Sequence, residues 1–512
     1  MVREMIESSK PSFFGKPWLV NLIVILIFLL GFGIRALDLT DLPLDFNPTR
    51  QLLSAIKARG MYYQIARNVP EEQREIAVRQ WKEAPVLEPP LNETIIAGMY
   101  FLFGEHLWIA RVFSILYWLL GGLALFSLAQ RISSTDGAII ALLYYLFLDF
   151  GVIASRSFQP DPLMVALILS GLWALYNWLE KRTWKWVIAT GLLSGMAIFV
   201  KNMAVFPLFF AFALVILQEQ GLKSALRDGQ VWVLLLITAL PIAIYEIDGI
   251  YISKYLDLQY DLWFFPNLWT DPGFYVRWKN LIGNTLGFGP FLLALLGIYL
   301  AKPGKDRALL LGTFLGYLAF GFAFSYHIST HNYYHLQLFV FISLSLAVVG
   351  KALFQRLREI NVGNVSARLF VIGAILFGIG SEMWNVRVEL VRQDFRPDAQ
   401  FWSGLGNKLG RDTEVIGLTQ DYGHRLAYWG WKTIELWPTS GDQNLRELAG
   451  TAKTFDEIFA DRVVGKQYFL VTNFNQYNSQ PELKEELSKN YPVLEQNSEY
   501  IIFDLQHPLE QP

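Results

Sequence analysis

Long apolar runs separated by short charged loops make up most of this chain. A helical membrane crossing needs about 20 mostly apolar residues, and eleven runs approach that length: 18–37, 108–130, 137–154, 160–179, 186–200, 203–218, 231–247, 285–300, 308–327, 333–351 and 368–385. Lys201 and Asn202 break one overlong stretch into two short runs. The first run follows basic residues, is too long for a signal-peptide core and precedes no small-residue cleavage pattern, so it reads as a retained span.

The loops between alternate runs hold Arg131; Lys181, Arg182 and Lys185; Lys223 and Arg227; Lys302, Lys305 and Arg307; and Lys351, Arg356, Arg358 and Arg368. With the N-terminus inside, this is the positive-inside pattern. An odd number of spans then places the segment from about Arg387 onward outside, together with the loop from Asp38 to His106. In that loop TRQLLSAIKARGMYYQIAR spaces Leu52, Leu53, Ile56, Met61 and Ile65 at helical intervals with basic residues between them, which predicts an amphipathic helix lying in the interface. EEQREIAVRQWKEA and PPLNETIIAGMYFLFG predict two further platform helices.

After residue 386 the pattern changes. EVIGLTQ, KTIELWP, KQYFLVTN and EYIIFDL read as strands, and FDEIFADRV and PELKEELSKNY as helices between some of them, a small α/β domain of roughly 120 residues. The expected architecture is a polytopic all-α membrane domain of about 11 transmembrane helices over residues 1–386, followed by a small extracytoplasmic α/β domain over 387–512. Its aromatics Tyr428, Trp429, Trp431 and Trp437 suit either sugar stacking or a core, and core filling is the preferred reading.

Composition agrees with a membrane chain: 53% of the 512 residues are hydrophobic and 17% are charged, unusual for a soluble protein of this length. A net charge of -2 supplies no general attraction to nucleic acid. The chain has no cysteine, which excludes disulfides, thiolate metal sites and a cysteine nucleophile.

Ionisable residues near membrane depth are costly unless they are paired or line a polar cavity, so they are candidates for function. Asp45, Arg50, Glu88, Arg156, Asp161, Lys201, His327 and His331 all fall at or near outer ends of spans. Asp45, in LPLDFNPTRQ, precedes Pro48, which disfavours helix at Asn47 and starts the platform helix just after it. A carboxylate there suits a general base toward a hydroxyl nucleophile; an ion pair with Arg50 is the plainer alternative. Asp161, between two prolines, suits a helix N-cap, and alternatively orients the first acid or holds a basic partner. Lys201 suits a lipid phosphate, or else snorkels at the interface. HISTHNYYH spaces His327, His331 and His335 by four residues, one face if helical, as metal ligands are. Hydrogen bonding to a sugar or phosphate is preferred over a divalent metal.

In their order and spacing these residues resemble the membrane-integral glycosyltransferases of the GT-C fold, in particular lipid A aminoarabinose transferases and protein O-mannosyltransferases. The resemblance runs from Trp18 to about Gly350. In that family an acid follows the first span, a PPL-containing segment ends the first outer loop, an arginine follows, an acid opens the fourth span and a lysine lies at the next outer turn. Asp45 in PLDFNPTRQ, EPPLNE with Arg111 in WIARVFS, Asp161 in FQPDP and Lys201 in FVKNM match these. Two features depart: Asp45 stands alone where the family often has an acid pair, and Glu88 precedes the prolines where His or Lys is common. Glu88 is therefore a second candidate acid of the catalytic loop.

The resemblance implies transfer of a sugar from a polyprenyl-phosphate donor to a hydroxyl acceptor, whether lipid, glycan or protein, at the outer face of the inner (plasma) membrane, with inversion. It implies Asp45 as general base with Asp161 as second catalytic acid, Lys201, Arg50 and Arg156 at the donor phosphate, and Glu88, His327, His331 and Tyr333 at the substrate. Fixed positive charge assists a leaving lipid phosphate, so no cofactor is required. A transporter or flippase of lipid-linked glycans is the competing reading; it would more naturally show inverted repeats and broken helices near the bilayer midplane. A third reading, a non-catalytic scaffold, would be indifferent to substitution of Asp45.

Overall fold

The structure is a computed structural model that describes residues 12–256, 263–359 and 365–510. The basic residues before Ser12 and the Arg368 side chain lie outside the described residues.

The first apolar run forms α1 (Pro17–Arg35), which opens with proline, whose missing N–H costs nothing in the first turn. The chain then leaves the bundle to build a platform from α2 (Pro48–Ile65), α3 (Glu71–Glu83) and α4 (Leu91–Phe103). It returns through α5 (Leu107–Ile132), α6 (Thr135–Phe147), the short α7 (Asp149–Ala154), α8 (Asp161–Lys181), α9 (Trp184–Val200), α10 (Val205–Arg227) and α11 (Gly229–Ile247). Then follow α12 (Pro272–Leu286) and α13 (Phe288–Leu300), which meet at 96°, and α14 (Lys305–Ala323), α15 (Ser325–Thr330), α16 (Leu338–Glu359) and α17 (Val365–Arg392).

Among the described residues, eight helices are long and apolar enough to cross a membrane, or up to nine if the bent pair is one span. The remaining apolar runs are shorter: α6 has 13 residues and α9 has 17, about 20 and 26 Å at the helical rise. Residues 137–154 are thus not one straight span, because Leu148 leaves helical backbone (ψ 130) between α6 and α7. The bundle core forms where α10 packs on α14, α9 on α8 and α11, and α6 on α16. The α10–α14 contact is close because small residues line it: a Cβ at Gly312 would stand 2.6 Å from the Ala211 Cα, and one at Gly316 would stand 2.5 Å from the Phe206 carbonyl.

The platform helix α2 differs from an interfacial helix with its basic side open. Every residue from Gln51 to Gly60 is buried, Lys57 and Arg59 included, because α3 and α4 pack against it and the C-terminal domain closes over it. At Gly60 a Cβ would lie 2.2 Å from the Trp81 Cβ, so only glycine allows α2 and α3 to approach this closely.

The C-terminal region comprises α18 (Arg396–Leu409), β1 (Val415–Leu418), α19 (His424–Trp429), β2 (Glu435–Leu436), α20 (Ser440–Leu448), α21 (Phe455–Val463), β3 (Tyr468–Val471), α22 (Phe474–Asn478), α23 (Pro481–Asn490), β4 (Val493–Gln496) and β5 (Ile501–Asp504). The strand order is β2-β1-β3-β5-β4, with β1 parallel to β2 and β3, and β5 antiparallel to β3 and β4. The edge strand β4 is absent from the sequence reading because it is mostly exposed and carries no buried alternation. Tyr428 and Trp437 are buried. Trp431 instead lies over Arg59, whose guanidinium sits 4.1 Å from that ring and 4.3 Å from the Tyr428 ring. Arg59 also donates to the carbonyls of Tyr428 (2.5 Å) and Ala427 (3.1 Å), and so ties domain to platform.

Candidate active site

At the platform end of the bundle, Asp45 is held by residues from three directions. Its Oδ1 accepts from Arg111 Nη2 at 2.9 Å and from Gln51 Nε2 at 3.2 Å. Its Oδ2 has Arg156 Nε at 3.7 Å, too long for a hydrogen bond. One carboxylate oxygen is therefore fixed while the other keeps its lone pairs. Arg156 is nearly fully buried and commits both Nη atoms to the carbonyls of Leu37 (2.6 Å) and Asp38 (2.9 Å). The ion pair with Arg50, the plainer alternative for Asp45, does not form. Pro48 does begin α2, and Asn47 before it takes left-handed backbone (φ 44), which asparagine tolerates better than most residues. Asn47 Nδ2 then reaches Asn332 Oδ1 at 3.1 Å, linking the Asp45 loop to the histidine segment.

Arg50 pairs with Glu88 instead, Nη2 to Oε1 at 2.6 Å. Burial alone would raise the Glu88 carboxyl, but the charges of Arg50, Lys201 and Lys57, with the Arg50 hydrogen bond, outweigh it and hold Glu88 below the usual glutamate range. Burial likewise works against the Arg50 cation, and Glu88, Tyr333, Tyr334 and Asp161 more than offset it, so Arg50 is held more firmly protonated than usual. These groups share one electrostatic neighbourhood. Lys57 and Glu93 belong to it as well. Burial lowers the Lys57 ammonium and raises the Glu93 carboxyl, whose Oε1 accepts from Ser54 at 2.8 Å.

Asp161 does not act as an N-cap. It is the first residue of α8, its side chain makes no capping bond, and its Oδ1 meets Lys201 Nζ at 2.8 Å with both side chains 1% exposed. Lys201 stands where α9 ends in extended backbone. Its ammonium also lies over the rings of Tyr333 (4.8 Å) and Tyr334 (5.1 Å).

The three spaced histidines do not share a helix face. The short α15 stops at Thr330, His331 is extended, and Asn332–Gln337 is a 3-10 turn. His327 and His331 stack with ring centroids 5.8 Å apart and face Tyr333 and Tyr334. His335 turns away, Nδ1 to the Tyr317 hydroxyl at 2.7 Å and Nε2 to the Ile328 carbonyl at 3.1 Å. Burial, with the nearby cations, lowers His331 to about 4 and His327 to about 3, so both rings are neutral at neutral pH. Among the described residues no three His, Cys, Asp or Glu side chains converge as metal ligands do.

The sequence reading missed Gln51, Lys57, Tyr334 and His424. Lys57 had a signal, lying seven residues after Arg50 and hence on the same face of α2. His424 had none: its Nδ1 donates to the Thr49 carbonyl at 3.1 Å only because the C-terminal domain docks on the platform.

A family profile described as dolichyl-phosphate-mannose-protein mannosyltransferase matches residues 87–245, a segment that holds Glu88, Arg111, Arg156, Asp161 and Lys201. No curated protein sequence matches the chain. Among solved structures, ArnT from Cupriavidus metallidurans bound to undecaprenyl phosphate is similar at 15% identity and a TM-score of 0.59, over 94% of this chain and 98% of that chain. The archaeal oligosaccharyltransferase AglB from Archaeoglobus fulgidus, in complex with an inhibitory peptide and a dolichol-phosphate, is similar at 11% identity and a TM-score of 0.51, over 94% and 74%. The architecture is therefore the GT-C fold of membrane glycosyltransferases, a polytopic membrane domain followed by a small α/β region. It resembles the ArnT and protein O-mannosyltransferase branch.

Proposed function

We propose that this protein is a membrane glycosyltransferase that moves a sugar from a polyprenyl-phosphate donor to a hydroxyl acceptor, with inversion. The observation that carries the reading is that the loop holding Asp45, whose Oδ2 makes no hydrogen bond, leads directly into the helix that carries Arg50 and is tied through Asn47 to Asn332, next to the Tyr333 and Tyr334 rings that Lys201 overlies. A proton acceptor and a receptor for a departing phosphate are the two parts this reaction needs.

In this reading Arg111 and Gln51 orient Asp45. As the acceptor oxygen bonds to the anomeric carbon, its proton passes to Asp45 Oδ2. The bond between that carbon and the phosphate oxygen breaks on the opposite side, and its electron pair leaves with the lipid phosphate. Arg50 and Lys201 stabilise that charge, and Asp161 positions Lys201. Arg156, whose Nη atoms are engaged with backbone, supports Asp45 rather than the phosphate. Glu88, His327, His331 and Tyr333 line the substrate side, the neutral imidazoles offering both donors and acceptors to sugar hydroxyls.

The basic loops lie opposite the platform, which supports an extracytoplasmic active site in an inner membrane, with residues 1–386 as the catalytic domain and 387–512 as an extracytoplasmic cover. The test is release of free polyprenyl phosphate from a panel of polyprenyl-phosphate sugars by purified protein in lipid with a crude membrane acceptor extract. One donor should be consumed, and Asp45→Asn should slow its consumption by about 10²- to 10⁴-fold. Equal turnover by the variant would remove Asp45 from the role of base.

A further inference from the structure

Arg50 is not free to receive a phosphate while Glu88 holds its guanidinium at 2.6 Å. Glu88 faces more than that one cation, since Lys57 and Lys201 also act on it. Lys201 has its own close partner in Asp161. Lys57, 6% exposed, makes no direct hydrogen bond or close ion pair among the described residues and faces the Glu93 and Glu88 carboxylates at longer range. Its ammonium sits in the field of two carboxylates, Glu93 first and Glu88 second, with the Arg50 charge opposing, so an anion arriving beside Arg50 relieves both cations. Arg50, Ser54 and Lys57 follow one another on a single face of α2, so both cations point to the same side of one helix.

We propose that Glu88 is an internal stand-in for the donor phosphate: it neutralises Arg50 and, together with Glu93, Lys57 in the empty site, is displaced when the phosphate enters, and competes again for these cations when the lipid phosphate product must leave. The phosphate as ligand rests on the glycosyltransferase reading. Glu88 suits the exchange because it lies in the irregular segment between α3 and α4, directly before Pro89 and Pro90. The prolines hold the backbone, so the carboxylate departs by side-chain rotation alone. A phosphate brings more acceptor oxygens than a carboxylate and bridges a guanidinium and an ammonium at once. Without a competing carboxylate, the same cations would retain the product and slow each cycle.

The experiment is titration of undecaprenyl phosphate onto the full chain in phosphatidylcholine nanodiscs, for the native protein, Glu88→Gln and Lys57→Met. Glu88→Gln removes the competitor while keeping its size, so binding should tighten about tenfold while turnover falls as product release slows. Lys57→Met should weaken binding about tenfold. Weaker or unchanged binding by Glu88→Gln overturns the stand-in role, as does unchanged binding by Lys57→Met should Glu88→Gln fail to fold. Failure of the native protein to bind the lipid phosphate would instead remove the glycosyltransferase reading, and the stand-in with it.

Discussion

Asp161 and Lys201, from the start of one apolar helix and the end of the next, form an ion pair of 2.8 Å with both side chains 1% exposed. Buried pairs of this kind are costly to assemble but costlier to half-remove, because the surviving charge has neither water nor partner. Lys201→Met should lower stability by about 3–5 kcal/mol. Asp161→Asn combined with Lys201→Met should recover most of the loss without recovering activity. Thermal unfolding of the three forms in one detergent decides this, and equal melting of single and double variants would show that the pair is not coupled.

Arg59 joins platform and C-terminal domain through two carbonyl hydrogen bonds, a bond to Gln80 Oε1 at 2.8 Å and stacking between Tyr428 and Trp431. Lysine cannot reproduce a planar fork between two rings. Arg59→Lys should weaken the junction by about 2 kcal/mol. Hydrogen exchange should quicken in α19 while β3 and β5 keep their protection; uniform protection would show that the junction does not depend on the guanidinium.

His424 is lowered to about 4, first by burial and further by the charges of Lys57 and Arg50, against the opposing pull of its Thr49 hydrogen bond and Asp421. Between its ordinary value and about 4, the unfolded chain takes up a proton that the folded chain does not. Stability therefore falls as pH drops through that window and is regained above it. His331 and His327 act in the same direction. Melting temperature measured from pH 7 to pH 4 should decline, and His424→Gln should make the decline shallower. An unchanged slope would show that His424 is not protected from protonation.

Gly60 offers a steric test. A Cβ there would meet the Trp81 Cβ at 2.2 Å and the Ala77 carbonyl at 2.7 Å, whereas at Gly98 of α4 nothing lies within 4 Å. Gly60→Ala should cost about 1–3 kcal/mol by overpacking, and Gly98→Ala should be neutral or slightly stabilising. Similar melting of both variants would contradict the close approach of α2 and α3.

The elements were legible where the signal is local. Apolar runs, platform helices and four of five strands follow from periodicity, because burying an apolar face requires side chains at the interval of the helix or strand that carries it. Asp45, Asp161 and Lys201 stood out for the same reason, as charges at span ends.

Their partners were not legible. An Asp45–Arg50 pair was the plainer alternative by sequence proximity, but Asp45 meets Arg111 and Arg156 while Arg50 meets Glu88. Asp161 was open between a helix cap and a basic partner, and it takes the partner, Lys201, which its sequence neighbourhood did not name. Lys57 read as one basic residue on an open interfacial face until α3, α4 and the C-terminal domain closed around α2. The sequence by itself determined which residues leave water and which segments become helices, since hydrophobic burial and backbone periodicity act between near neighbours. Only the tertiary structure decided which charges compensate one another, because once water is excluded a buried charge pairs with whatever opposite charge the packing of distant helices brings within reach.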